Sequence, residues 1–250
     1  MSSGSVPRVA LVTGGAVRVG RAIVEAFADR GYAVAIHANR SVDQAHELAR
    51  LLDERGVSTL VESAELRSPD AIRGMIDRVC LYFGRLDVLV NNAAIWSPKP
   101  LEEVTAADVL EYFEINSLAT FVGCQHAGLK MVEQEQGGVI LNIGDWSVAR
   151  PYTDYAAYFP SKGTIPTMTR LFAVELSRRN PLVRVNAILP GPVIFPPDLP
   201  EADRQKAIGE TLVQRAGAPE NVAHAAIFLV ENDFVTGVCL PVDGGRTISS

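Results

Sequence analysis

Cysteine is scarce in this chain: Cys80, Cys124 and Cys239 are the only three, and no Cys-x-x-Cys pair occurs. An odd number at long spacings argues against a disulfide framework or a cysteine-built zinc site, and no metal is expected. It suits a reducing, cytoplasmic setting with the thiols as buried apolar groups. Excess positive charge is also missing. Lys and Arg total 23 against 29 Asp and Glu, a net charge of −6, which argues against nucleic acid or an anionic membrane as the main partner. No apolar run reaches the roughly 18 residues of a membrane span. The opening Met-Ser-Ser-Gly-Ser lacks the apolar core of a signal peptide, and residues 1–6 read as a flexible lead. Repeats, linkers and low-complexity segments are absent.

Apolar material is plentiful. Hydrophobic residues make up 48% of the 250, enough for the core of one α/β domain spanning 1–250. Short β-type runs alternate with helical patterns along the chain. Strands are expected at Arg8–Val12, Ala33–His37, Thr59–Glu62, Leu86–Asn91, Val139–Ile143, Val183–Leu189 and Gly237–Pro241. Helices are expected at Val19–Arg30, Val42–Arg55, Asp70–Phe83, Ala106–Glu135, Tyr155–Arg179, Leu199–Leu212 and Glu220–Val230, several closed by glycine. Seven strands alternating with helices imply a seven-stranded parallel sheet covered on both faces, a doubly wound Rossmann-type α/β fold. Ligands bind such sheets at the carboxyl ends of the strands.

The chemistry-bearing residues gather at those ends. After the first strand, Thr13-Gly14-Gly15-Ala16-Val17-Arg18-Val19-Gly20 opens a helix. Glycines there let the backbone approach a pyrophosphate, and the helix N-terminus supplies donors. The second strand leads into His37-Ala38-Asn39-Arg40-Ser41, with no acid to bind the ribose hydroxyls of NAD. Arg18, Arg40 and Ser41 can instead surround a 2′-phosphate, so NADPH is the expected cofactor. His37 is as well explained by loop packing as by a phosphate contact.

Tyr158 and Lys162 are four apart and share a helix face. An ammonium beside a phenol favours the phenolate, so the pair predicts a lowered tyrosine pKa and a proton donor. Asp145 joins them if the chain folds back. Pro160 and Pro166 flank Lys162 and predict a late-starting or kinked helix.

Jointly, Thr13-Gly14…Gly20, Asn91-Asn92-Ala93, Asn116, Tyr158-xxx-Lys162, Pro190-Gly191 and Val242-Asp243-Gly244-Gly245 resemble the short-chain dehydrogenase/reductase family over nearly the whole chain. The resemblance implies Tyr158 as proton donor and Lys162 on the nicotinamide ribose. It implies Asn116 holding a relay water, and Gly14, Val19, Gly20, Asn91, Asn92, Ala93, Pro190 and Gly191 around the cofactor. Glu65-Leu66 stands where an aspartate often contacts adenine. A homotetramer is also implied, with residues 106–135 and 155–179 at the interfaces. Three departures from the family pattern are similar to pteridine and dihydromonapterin reductases: Arg18 in place of a glycine, Asp145 in place of a serine, and Trp96 after Asn91-Asn92-Ala93. That likeness implies a pterin sandwiched between Trp96 and nicotinamide, with Arg18 at its edge. Ala94 stands where those reductases often carry a pterin-contacting serine. A serine donates to a ketone oxygen, whereas an ionised aspartate only accepts, and a pterin presents N–H donors. The expected function is therefore NADPH-dependent reduction of a dihydropterin. The alternatives are reduction of a carbonyl compound or 3-oxoacyl thioester, and a non-catalytic NADP(H) sensor or scaffold. Val193–Leu199 reads as a lid, stiffened by Pro192, Pro196, Pro197 and Pro200.

Overall fold

The computed structural model describes residues 6–196 and 199–249. The lead expected at residues 1–6 therefore lies outside the described residues, apart from Val6. Strands β1 (Val9–Val12), β2 (Ala33–Ala38), β3 (Thr59–Ser63), β4 (Val88–Asn91), β5 (Gly138–Ile143), β6 (Val183–Pro190) and β7 (Cys239–Val242) form one sheet in the order 3-2-1-4-5-6-7. Every pairing is parallel. The order reverses between β1 and β4, the switch point at which such sheets bind ligands.

The strands read as continuous apolar runs because both faces are covered. Along β1, Ala10 and Val12 pack on one side with Ile23, Phe27 and Leu48, while Val9 and Leu11 pack on the other with Met75, Met131 and Phe172. The first side is covered by α1 (Arg18–Asp29), α2 (Val42–Asp53) and α8 (Pro219–Glu231), the second by α3 (Pro69–Phe83), α5 (Ala119–Val132) and α6 (Tyr158–Ser177). Local chemistry sets the boundaries. Ser68 Oγ accepts from Ala71 N at 3.2 Å, Pro69 opens α3, and Gly84 at φ +77° ends it. Arg184, 8% exposed, donates to the carbonyls of Leu229, Val230 and Val235, tying the end of α8 to β6.

Three expected helices differ. The long helix over 106–135 is broken into α4 (Ala106–Tyr112), a π-helical turn at Phe113–Leu118, and α5. The break coincides with Asn116, whose amide leaves the helix surface to bond the backbone of Ile95 and the hydroxyl of Ser161; π-turns often mark such insertions. Helix α6 starts at Tyr158 rather than Tyr155. Pro160, third in the helix, sits where an N–H has no intrahelical partner. Pro166 lies inside the helix and offers no N–H to the carbonyl of Lys162. Helix α7 (Glu201–Gly209) is shorter than expected at both ends.

Candidate active site

A cavity of about 1080 Å³ runs along the carboxyl ends of the strands. Its floor begins at the turn after β1. Gly14 takes φ +60°, and its N–H donates to His37 Nδ1 at 3.1 Å. Gly15 N donates to the carbonyl of His37 at 2.9 Å. Thr13 Oγ1 accepts from Asn92 N and Ala93 N at 2.9 and 3.0 Å, and Asn92 Nδ2 returns bonds to the carbonyls of Thr13 and Gly14 at 2.8 and 3.2 Å. The turn is thus pinned from β2 and from the end of β4. A Cβ at Gly20 would fall 2.1 Å from Gly14 O, so the first turn of α1 packs directly on backbone. Arg18 is exposed and holds φ +54°, in the left-handed region that favours glycine.

His37 is 1% exposed, and both ring nitrogens are engaged. With Nδ1 accepting from Gly14, Nε2 donates to Ala64 O at 3.0 Å. Burial pushes its pKa down, so the neutral tautomer is favoured. The packing role fits this geometry; a phosphate contact would require giving up one of the two bonds. Beside it, Asn39, Arg40, Glu65 and Leu66 line the cavity, while Ser41 does not. Glu65 is held down to about 2 by hydrogen bonds from Arg67, whose guanidinium lies 3.0 Å away.

At the other end, Asp145 and Tyr158 meet. Tyr158 Oη donates to Asp145 Oδ2 at 2.6 Å, and Ser147 donates to Asp145 Oδ1 from its backbone N–H at 2.8 Å and its hydroxyl at 2.5 Å. Lys162 is 3% exposed and donates to Ile143 O at 2.7 Å. Burial lowers its pKa to about 8, partly opposed by Asp145. The expected effect on tyrosine is reversed. Tyr158 is pushed well above the usual phenol range, first by burial and then by the charge and hydrogen bond of Asp145. The i,i+4 spacing places Lys162 on the same helix face, yet its amine turns to β5, and burial together with the Asp145 carboxylate sets the phenol.

Two asparagines also differ from expectation. Asn116 is 1% exposed and its side chain is absent from the cavity lining; its amide serves Ile95 and Ser161. Asn91 lies beneath the site rather than in the cofactor cleft, donating to Asn142 Oδ1 at 2.9 Å. Val19, Gly20, Asn92, Ala93, Trp96, Pro190 and Gly191 line the cavity with Gly14, Arg18, Asp145, Tyr158 and Lys162.

A family model described as enoyl-(acyl carrier protein) reductase, of the C2 short-chain dehydrogenase type, matches residues 15–247. The chain belongs to the short-chain dehydrogenase/reductase family. It is 33% identical over 250 residues to the (2S)-[(R)-hydroxy(phenyl)methyl]succinyl-CoA dehydrogenase subunit BbsD of Thauera aromatica, covering 96% of this chain and 97% of that one. It is 30% identical over 298 residues to pteridine reductase 1 of Leishmania tarentolae, covering 100% and 99%. Among solved structures, FolM alternative dihydrofolate reductase 1 from Brucella suis in complex with NADP superposes with a TM-score of 0.89 at 29% identity, covering 97% of this chain and 96% of that one.

As a short-chain dehydrogenase/reductase, the protein is an oxidoreductase, and its cavity contains more than its sequence motifs indicate. Trp96 is 38% exposed and stacks on Tyr155, with ring centroids 5.0 Å apart at 15°. Tyr152 packs edge-on against Tyr155 at 5.1 Å. Arg246 lies over the Trp146 ring at 4.3 Å and bonds Glu210 at 2.7 Å, and Arg150 reaches the carbonyl of Arg246 at 3.0 Å. Arg67, Arg150, Tyr152 and Tyr155 gave no motif; the dense Tyr-Thr-Asp-Tyr-Ala-Ala-Tyr run ahead of α6 was the available signal for the two tyrosines. Ile194, Phe195, Pro196 and Leu199 of the expected lid line the cavity, and Arg204 lies over the Phe195 ring at 5.3 Å. Pro197 and Asp198 of that segment lie outside the described residues. Among the described residues, no cluster of His, Cys, Asp and Glu could hold a metal ion, and no helix is long and apolar enough to cross a membrane.

Proposed function

We propose that residues 1–250 form one NADPH-dependent oxidoreductase domain that reduces a pterin-type ring, dihydropterin to tetrahydropterin, in a reducing cytoplasm. The observation that carries this reading is the Asp145 carboxylate, 2.6 Å from the Tyr158 hydroxyl, where most family members place a serine. It offers an acceptor to a substrate that has N–H donors, and it opposes the negative charge that develops on a ketone oxygen. The likeness to a pteridine reductase and to an NADP-bound FolM supports the same reading.

The residues fit NADPH. The Gly14 turn and the N-terminus of α1 present backbone to a pyrophosphate, Arg18 and Arg40 line the cavity near the end of β2, and that end carries no acid. When bound, NADPH supplies a hydride to a ring carbon of a C=N bond. Tyr158 gives its hydroxyl proton to the ring nitrogen, and Asp145 accepts ring N–H donors or relays a proton from solvent water to the tyrosinate. Lys162, held by Ile143 O, orients the nicotinamide ribose. Trp96 offers a face to the ring, a contact of roughly 0.5–1.5 kcal/mol beyond area burial, and Arg18 stands at the ring edge. Asn116 supports this arrangement from behind through Ile95 and Ser161.

Steady-state rates with dihydrobiopterin or dihydromonapterin should exceed those with an acetoacetyl thioester by at least about tenfold in kcat/KM, a difference of roughly 1.4 kcal/mol. A higher rate with the thioester would favour the second reading, carbonyl reduction, which the similarity to BbsD supports. Arg40→Asp should weaken NADPH binding about 100-fold and NADH binding less than threefold, the size of a charge-assisted phosphate contact. Equal losses in a titration of both cofactors would show that Arg40 does not read the 2′-phosphate. A tetramer is part of the same proposal: Leu118 and Leu129 near and on α5, and Leu171 and Val174 on α6, are exposed apolar side chains. Sedimentation equilibrium should give about four times the 26.9 kDa chain mass, and a monomer would overturn it.

A further inference from the structure

We infer that Ser147 is a positioning residue that locks the Asp145 carboxylate so that Oδ2 alone faces Tyr158 and the substrate. The inference rests on the assignment of Asp145 and Tyr158 as the proton-handling pair. Ser147 is 0% exposed. A buried hydroxyl needs a partner, and the Ser147 hydroxyl finds it in Asp145 Oδ1 at 2.5 Å, on the oxygen that also accepts the Ser147 N–H at 2.8 Å. The backbone bond alone would cap the short 3₁₀ turn at Trp146–Val148. The hydroxyl adds a second donor from the same residue and opposes rotation of the carboxylate about its Cβ–Cγ bond.

The chemistry follows from which oxygen is occupied. With two donors on Oδ1, the lone pairs that point into the cavity belong to Oδ2, which already accepts Tyr158 Oη at 2.6 Å. An incoming ring nitrogen that takes the tyrosine proton therefore lies beside an oxygen that seeks an N–H. The substrate edge that satisfies both has an N–H donor next to an imine-type nitrogen acceptor. A simple ketone offers only the acceptor. Ser147 thus contributes to substrate choice without touching substrate. The groups around Tyr158 are Asp145, Tyr112 and Tyr152, with the Tyr155 ring 6.2 Å away and the buried Lys162 one turn further along α6.

A double-mutant cycle tests this, run with whichever of dihydrobiopterin and an acetoacetyl thioester the wild-type enzyme turns over better. Ser147→Ala should lower kcat about tenfold and leave the KM for NADPH within about twofold. It should also move the alkaline limb of the kcat profile to lower pH, because a mobile carboxylate no longer holds the phenol protonated. In an Asp145→Ala background the same substitution should change kcat less than about twofold, since its effect passes through the missing carboxylate. Equal fold-losses in both backgrounds, or an unchanged kcat and pH profile in the single variant, would overturn the inference. If Ser147→Ala does not fold, Ser147→Cys takes its place in both backgrounds, keeping the volume while weakening the donor. A wild-type preference for the thioester would sink the pterin reading while leaving the Ser147 cycle to be decided on its own numbers.

Discussion

Replacing Tyr158 by phenylalanine is expected to lower kcat by about 10³-fold, within the range that a positioned general acid contributes, while the affinity for NADPH changes less than about twofold. The ring itself will stay in place. It is 5% exposed and is held by edge-on and tilted contacts with Tyr112, Tyr155 and Phe159 at 5.5–6.2 Å. Phenylalanine fills the same space, so only the hydroxyl is lost. Its removal takes one donor from Asp145, which keeps two from Ser147, and folding should be little affected. Lys162 keeps its bond to Ile143 O, so the end of the site proposed to hold the ribose stays as it is. Single-turnover oxidation of bound NADPH, followed by its absorbance, separates the chemical step from binding. A variant that keeps more than about a tenth of the wild-type rate would show that another group delivers the proton.

The second large effect is expected at Gly20. Gly20→Ala puts a Cβ 2.1 Å from Gly14 O and 2.7 Å from Asn92 Nδ2. Neither neighbour is the free end of a flexible side chain. Gly14 O belongs to the turn backbone, and the Asn92 amide is fixed by its bonds to the carbonyls of Thr13 and Gly14. The first turn of α1 must move away, which costs up to about 3 kcal/mol for overpacking. Thermal unfolding should fall by on the order of 8 °C, and NADPH binding by at least about 100-fold because the turn proposed to cradle the pyrophosphate is displaced. Gly163→Ala serves as the control: its added Cβ meets nothing within 4 Å, and an alanine in a helix interior stabilises by up to about 1 kcal/mol. Wild-type-like melting and cofactor binding in Gly20→Ala would mean that the turn is far more compliant than its contacts imply.

The element order was legible in the sequence because two periodicities are unambiguous over enough residues. Continuous apolar strands such as Val-Ala-Leu-Val at 9–12 and amphipathic helices such as 18–29 state their environment locally. The π-turn at Phe113–Leu118 was not legible. Its cause is a bond from Asn116 to Ile95 and Ser161, residues that the pattern of one helix does not see. The same division holds within the site. Glycine spacing located the turn after β1, and Tyr158 and Lys162 fall on one face as i,i+4 geometry requires. The direction of the Tyr158 shift depends on a carboxylate thirteen positions upstream and on burial, and neither follows from helix spacing. Arg67 was hidden for a related reason. It pairs with Glu65, two residues away, in a loop that only the folded chain brings to the cavity.

The backbone at Arg18 carries a consequence for anyone who wishes to make this enzyme more robust. A residue with a side chain at φ +54° sits in a conformation that costs of order 1–2 kcal/mol and that glycine would adopt freely. Sequence averaging across short-chain reductases would therefore recommend glycine at this place, and a melting assay would reward it. The gain would come by deleting a guanidinium from the cavity wall. With Arg18 binding ligand as proposed, thermal tolerance and ligand capture would pull in opposite directions at this one peptide unit, and screening by heat alone would select the emptier pocket.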